Sequence, residues 1–109
     1  MDSEANFYKL HVAGYSGNAG DSLSNMSSSP QSVIQNGMNF TTYDADNDLG
    51  DDTLTCAVCF NAGFWFNNCG SSCLTGTNGS KSFTWLSLQT YANQPQGRLR
   101  AVRIMIRSI

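Results

Sequence analysis

All four cysteines of this chain lie between Cys56 and Cys73, at the spacing C-x2-C-x9-C-x3-C. That clustering ties one short region together, whatever bonds the sulfurs make. It matters because the chain has only 109 residues. A domain of that size buries roughly 60–70% of its unfolded surface, so its core is marginal and cross-links count. Two readings of the spacing compete. Paired cysteines with short gaps are the usual signature of a structural zinc site with four thiolates. Cys56-Ala-Val-Cys59-Phe60, however, lacks the glycine or basic residue typical of a zinc knuckle. The other reading is two disulfides, for which three connectivities exist. Bridging Cys56 to Cys69 would close a loop worth roughly 3 kcal/mol in the chain-entropy model. Spacing leaves both readings open.

Just before the cysteines comes a run of carboxylates: Asp44, Asp46, Asp48, Asp51 and Asp52, five of the eight acidic residues. Oxygen donors at alternate positions of a loop can converge on a hard cation, and calcium takes six to eight oxygens from carboxylates, carbonyls and water. An EF-hand would place Gly at the sixth position and Glu at the twelfth. Here those positions hold Leu49 and Thr55, so that motif fails. A calcium loop of another kind and a solvated acidic turn both remain. Magnesium suits the pattern less, because it demands octahedral geometry and few protein ligands.

Along the chain, Phe7–Tyr15 alternates polar and apolar residues and predicts a strand. His11, the only histidine, falls on its polar face and reads as structural or exposed. The Gly14–Gly20 segment predicts a turn built on positive φ, with Asp21 a candidate N-cap behind it. Residues 24–35 are Ser-rich and contain Pro30, which predicts a surface loop. Asn36-Gly37 is a turn signal, and Met38–Tyr43 predicts a short strand. Ser82–Leu88 predicts another. Leu99–Ile109 is the strongest strand pattern, with Val102, Ile104 and Ile106 on one face. Phe64-Trp65-Phe66 reads as core. The expected fold class is α+β: mostly short β-strands and long irregular loops in one unit.

Composition narrows the functions. The net charge is −2 and charged residues make up 13%, which argues against a nucleic-acid surface. Arg98, Arg100, Arg103 and Arg107 cluster near the end of the chain, interleaved with hydrophobics, and read as a charged strand or edge. No apolar run is long enough to span a membrane. The opening MDSEANFYKL does not resemble a signal peptide, so the chain is either cytosolic or a piece of something secreted. The cysteines favour secretion, as do, weakly, the sequons at Asn25, Asn39 and Asn78. No acid–base pair or triad stands out, so an enzyme is not expected.

Several motifs in this order resemble the fibrinogen C-terminal domain, the recognition module of fibrinogen chains, ficolins, tachylectins, tenascins and angiopoietins. They are Gly14-Tyr-Ser-Gly-Asn-Ala-Gly-Asp-Ser-Leu23, Asn36-Gly-Met-Asn-Phe-Thr-Thr42, Asp44-Ala-Asp-Asn-Asp48, Cys56-Ala-Val58 and Gly63-Phe-Trp-Phe-Asn-Asn-Cys69. The resemblance covers nearly the whole chain and corresponds to the C-terminal half of that domain. It implies strands of a central sheet at residues 1–15 and 98–109, with a calcium- and ligand-binding loop region at 36–97. The terminal strand Leu99–Arg107 would then lack sheet partners supplied by an earlier half.

The resemblance further implies calcium held by the carboxylates of Asp46 and Asp48 with carbonyls at Gly50 and Asp52. The gap from Asp48 to Cys56 is about two residues longer than the family's. It implies a Cys56–Cys69 disulfide, which leaves Cys59 and Cys73 as a second pair. It also implies a ligand pocket walled by Phe60, by Asn68 and Cys69 at a cis peptide, and by Trp85, which in acetyl-binding members receives a methyl group. Gly70 stands where a His is common. The function implied is a secreted, calcium-dependent, lectin-like glycoprotein that binds acetylated glycans in innate immunity and oligomerises through regions outside this chain. The alternative is a protein-ligand module of matrix, angiopoietin-like or coagulation type. A zinc-stabilised domain is a further alternative.

Overall fold

The chain follows its turns more than its strands. A computed structural model describes residues 1–24, 33–50, 55–70, 72–75, 84–85, 99 and 101–108. Their regular elements are a 3-10 turn at Glu4–Asn6, a helix α1 at Cys56–Phe60, and the strands β1 (Ser72–Cys73) and β2 (Thr84–Trp85). The two strands pair antiparallel, with Ser72 opposite Trp85 and Cys73 opposite Thr84. Isolated antiparallel bridges join Thr41 to Phe64 and Thr42 to Ala45. This is the loop-rich α+β arrangement that the composition predicts. No helix of the described residues is long and apolar enough to cross a membrane.

Three expected strands shrink or vanish. Phe7 and Tyr8 both have positive φ, 53° and 54°, a region bulky residues rarely enter. The turn they make delivers the Tyr8 carbonyl to the Trp65 indole N–H at 2.8 Å. Beyond it, Leu10 makes one local exchange: its N–H donates to the Met38 carbonyl and its carbonyl accepts from Gly37, both at 2.9 Å. One further bond, from the Phe40 N–H to the Phe7 carbonyl at 2.9 Å, joins the two segments, and among the described residues they form no strand. Of Met38–Tyr43, only the bridges at Thr41 and Thr42 remain. Residues 101–108 lie exposed and outside any strand. The predicted strand at Ser82–Leu88 survives as Thr84–Trp85; its other residues lie outside the described set. The predicted turn does form, with Gly14, Gly17 and Gly20 all at positive φ. Asp21 accepts the N–H groups of Leu23 and Ser24 at 3.1 and 2.9 Å, as an N-cap would, and the described residues behind it, 22–24, form bends.

The core gathers around the aromatic triplet. Phe64, Trp65 and Phe66 are all buried, with Leu10, Cys56, Ala57 and Cys73. Phe40 meets Trp65 edge-on at 5.1 Å, and Phe64 meets Trp65 likewise at 5.2 Å. Each such ring is worth about 1.5–3 kcal/mol by burial, and the T-shaped contacts add to that.

Helix α1 packs Cys56, Ala57 and Phe60 inward, residues that share a face at helical spacing. Asn61 ends it in the left-handed conformation at φ 53°. The Asn61 N–H then reaches the Val58 carbonyl at 3.3 Å and the Ala62 N–H reaches Ala57 at 3.0 Å. That pair of bonds is the Schellman closure, whose left-handed residue is usually Gly and sometimes, as here, Asn.

Candidate functional site

The acidic loop is built by its own side chains. Thr42 and Ala45 exchange backbone hydrogen bonds around a tight turn, and the Thr42 hydroxyl donates to Asp44 at 2.7 Å. Asn47 anchors the loop to the core: its N–H donates to the Thr41 hydroxyl and its amide to the Phe40 carbonyl, at 3.0 and 2.8 Å. Asp48 then accepts from the Gly50 N–H and the Cys56 N–H, both at 2.9 Å. The second bond serves the first residue of α1, whose N-cap Thr55 makes no side-chain cap. Asp48 therefore does the capping from eight residues away.

Asp46 lies close enough to Asp48 to act on its titration. Burial holds the Asp48 carboxyl above the ordinary carboxylate range, and the nearby Asp46 charge adds to this. The Cys56 and Gly50 N–H groups pull the other way. Two neighbouring carboxylates on one loop are oxygen donors of the kind a hard divalent cation takes. Among the described residues no group of three His, Cys, Asp or Glu side chains gathers to hold a metal, so the remaining oxygens would be carbonyls and water. Asp52 lies outside the described residues.

The disulfide joins Cys56 at the start of α1 to Cys69, with a Cα separation of 5.6 Å. It consumes two of the four thiolates a zinc site would need, and the zinc reading fails on that ground. The expected Cys59–Cys73 bridge is not formed. Cys73 is fully buried in β1, its sulfur 3.5 Å from the Thr75 carbonyl, whereas Cys59 sits part-exposed on α1. The two sulfurs belong to separate elements.

The peptide bond Asn68–Cys69 is cis. The loop and this turn meet at Gly50. A Cβ there would lie 3.3 Å from Asp48 Oδ1, 3.4 Å from Asn68 Oδ1 and 3.6 Å from Cys56 Sγ. The Leu49 N–H also donates to the Asn67 carbonyl at 3.1 Å. Asp48, Gly50, Asn68 and Cys69, singled out separately along the sequence, are thus brought together.

Phe60 and Trp85 are placed differently. Phe60, half-buried at the end of α1, stacks on Phe66 at 5.4 Å and so joins the core side of the turn. Trp85 donates its indole N–H to the Gly20 carbonyl at 2.7 Å. It lines a cavity of about 380 Å³ with Leu23, Leu74, Leu99, Val102 and Met105, among others, but not Phe60, Asn68 or Cys69. Asn39 is half-buried, and its buried Oδ1 has no hydrogen-bond partner among the described residues; Asn25 and Asn78 lie outside the described residues.

Two side chains that sequence reasoning misses hold the turn. Asn67, nearly buried, donates its amide to the Ile34 carbonyl at 2.8 Å. Gln35, fully buried, bonds Trp65 and Ser72. Nothing in a Ser-rich run ending in Gln announces that burial, because its partners lie thirty or more residues away.

Comparison with known proteins follows the same motifs. The family described as fibrinogen beta and gamma chains, C-terminal globular domain, matches residues 1–97. Angiopoietin-4 of Bos taurus is 35% identical over 111 residues, covering 98% of this chain and 20% of that protein. The fibrinogen beta chain of Petromyzon marinus is 41% identical over 76 residues, covering 62% of this chain and 16% of that one. Among solved structures, the fibrinogen-like globe domain of human ANGPTL2 is similar at a TM-score of 0.54 and 37% identity, covering 71% of this chain and 32% of that chain. This chain therefore spans a fifth or less of the length of those two curated relatives. With a match over residues 1–97 and the disulfide in place, the protein belongs to the family of C-terminal globular domains found in fibrinogen beta and gamma chains.

Proposed function

We propose that this chain is a non-catalytic recognition module of a secreted protein, and that it binds an extracellular protein ligand beside a calcium-dependent loop. The observation that carries the reading is the junction at Gly50, where the Asp48 carboxylate, the Asn68 amide and the Cys56–Cys69 disulfide converge. A recognition surface needs loops held in one shape, and that junction holds two. Similarity to angiopoietin-4 over 98% of the chain supports a protein ligand. The disulfide supports an oxidising, extracellular setting.

Asp46 and Asp48 would hold the calcium, with the Gly50 and Asp52 carbonyls as further oxygens. Calcium bound there would neutralise the paired carboxylates and favour the ionised form of Asp48 that burial opposes. Asp48 at the same time keeps α1 and residues 48–50 in register through its two backbone bonds.

A second reading, acetylated-glycan binding of the innate-immune lectin type, draws on the place where Asn68 meets the acidic loop at Gly50, since the resemblance puts the pocket of acetyl-binding members beside that turn. Labelled protein applied to intact cells, with calcium or with chelator, separates the two. Calcium-dependent binding that protease treatment of the cells removes, and deglycosylation leaves, supports the protein-ligand reading. Retention on an N-acetylglucosamine resin with elution by the free sugar supports the glycan reading instead. Binding unaffected by chelator sinks the calcium requirement of both.

A further inference from the structure

We propose that Gln35 is the positioning residue of this site and that it acts as a coupled pair with Gly70. Four hydrogen bonds fix its side chain. The amide nitrogen donates to the Trp65 carbonyl at 2.9 Å and to the Ser72 carbonyl at 3.0 Å. The amide oxygen accepts from the Ser72 N–H and from the Ser72 hydroxyl, both at 2.9 Å. A glutamine amide has two donors and two acceptor lone pairs, so every polar valence is used. Gln35 is fully buried, where each lost bond would leave a polar group unpaired and out of reach of water.

The bonds span both ends of the turn, from Trp65 to Ser72, and the turn's backbone closes over the same side chain. A Cβ at position 70 would lie 2.4 Å from Gln35 Cδ, 2.6 Å from Nε2 and 2.8 Å from Oε1. An exposed glutamine could swing away from such a contact. This one cannot without breaking its four bonds. Position 70 must therefore be glycine because position 35 is this glutamine.

The adjacent residue extends the grip. The Ile34 carbonyl holds the Asn67 amide, and the Asn67 carbonyl takes the Leu49 N–H. Segment 34–35 thus positions the turn, and the turn positions the acidic loop. The functional consequence rests on the reading proposed above; the coupling itself does not.

The test is a double-mutant cycle on the oxidised protein, read by urea unfolding in chelator and by calcium titration. Gly70→Ala should lower the folding constant tenfold or more in the wild-type background and less than threefold when Gln35→Ala is already present. Gln35→Met keeps the bulk and loses the bonds, so Gly70→Ala should stay as costly beside it as in wild type. Folded Gln35→Ala should bind calcium at least tenfold more weakly than wild type, a loss that general destabilisation does not produce in a folded sample. Additive losses across the cycle, or unchanged calcium affinity in folded Gln35→Ala, overturn the proposal. If Gln35→Ala does not fold, amide exchange of the wild type decides: a Ser72 N–H as slow as the core amides supports the clamp, and one exchanging at loop rates defeats it. Wild type that binds no calcium would count against the proposed function alone, since the cycle in chelator still reads the Gln35–Gly70 coupling.

Discussion

Asp46 and Asp48 stand two residues apart with the same side chain, yet the structure gives them separable duties. Asp48 accepts from Gly50 and from Cys56, the first N–H of α1. Asp46 accepts from the Asp48 N–H at a long 3.2 Å and lies exposed. Asp48→Ala should therefore lose about 1–2 kcal/mol of stability even in chelator, as removal of a helix cap does. Asp46→Asn should stay within about 0.5 kcal/mol of wild type under the same conditions. Both should lose the stabilisation that calcium confers on the wild type. Thermal melts of the three proteins with calcium and with chelator check this, and equal losses in chelator would show that Asp48 does no capping. At this scale the Cys56–Cys69 bond and the Asn68–Cys69 cis peptide were legible, because both sit in ordered motifs that the resemblance covers. Asp46 and Asp48 were legible as neighbouring carboxylates, and the melts decide their calcium. Gln35 was not legible, because its role depends on Trp65 and Ser72, which only folding brings to it.

The elements were read less well than the residues, and for a physical reason. Alternation in Phe7–Tyr15 reports a two-faced extended segment, but a strand also needs a neighbour to bond. Leu10 finds Gly37 and Met38 for one exchange and the Phe7 carbonyl takes one further bond from the Phe40 N–H, too few for a strand, while the Tyr8 carbonyl is spent on Trp65. Helix α1 shows the opposite case. Its five residues fall far below the length at which an isolated helix holds in water, and nothing in CAVCF predicts a helix. It exists because Cys56 is pinned to Cys69, Asp48 caps its first N–H, and Asn61 closes its end. Replacing Cys56 and Cys69 together by serine should cost about 3 kcal/mol, the entropy of a loop of that length. Denaturant unfolding measures the loss. A change well under 1 kcal/mol would show that Asp48 and the aromatic packing hold α1 without the staple.

For the whole molecule, the balance between its small core and the apolar surface it leaves exposed sets its solution behaviour. Residues 101–108 are all exposed, among them Val102, Ile104, Met105 at 79% and Ile106 at 58%. Ile104, Met105 and Ile106 also form one wall of a cavity of about 620 Å³, opposite Leu10, Val12 and Trp65. The sequence anticipated a strand here without partners, and an extended apolar segment of that kind is an association hazard. Arg103 and Arg107 interrupt it and oppose stacking by like charge. That repulsion acts between exposed groups and fades as salt shortens the Debye length from about 10 Å at 0.1 M to 3 Å at 1 M. Burial of the apolar side chains does not weaken with salt in the same way. The two effects therefore separate: the protein should associate more as its concentration rises, and more again as sodium chloride rises. Ile106→Lys and Met105→Lys should each suppress this while leaving the melting temperature within a few degrees of wild type, because neither side chain belongs to the buried core. Sedimentation velocity across a range of protein and salt concentrations measures it. A monomer under every condition would show that the charges of Arg103 and Arg107 outweigh the apolar face, and association unchanged by both lysine variants would place the contact elsewhere on the surface.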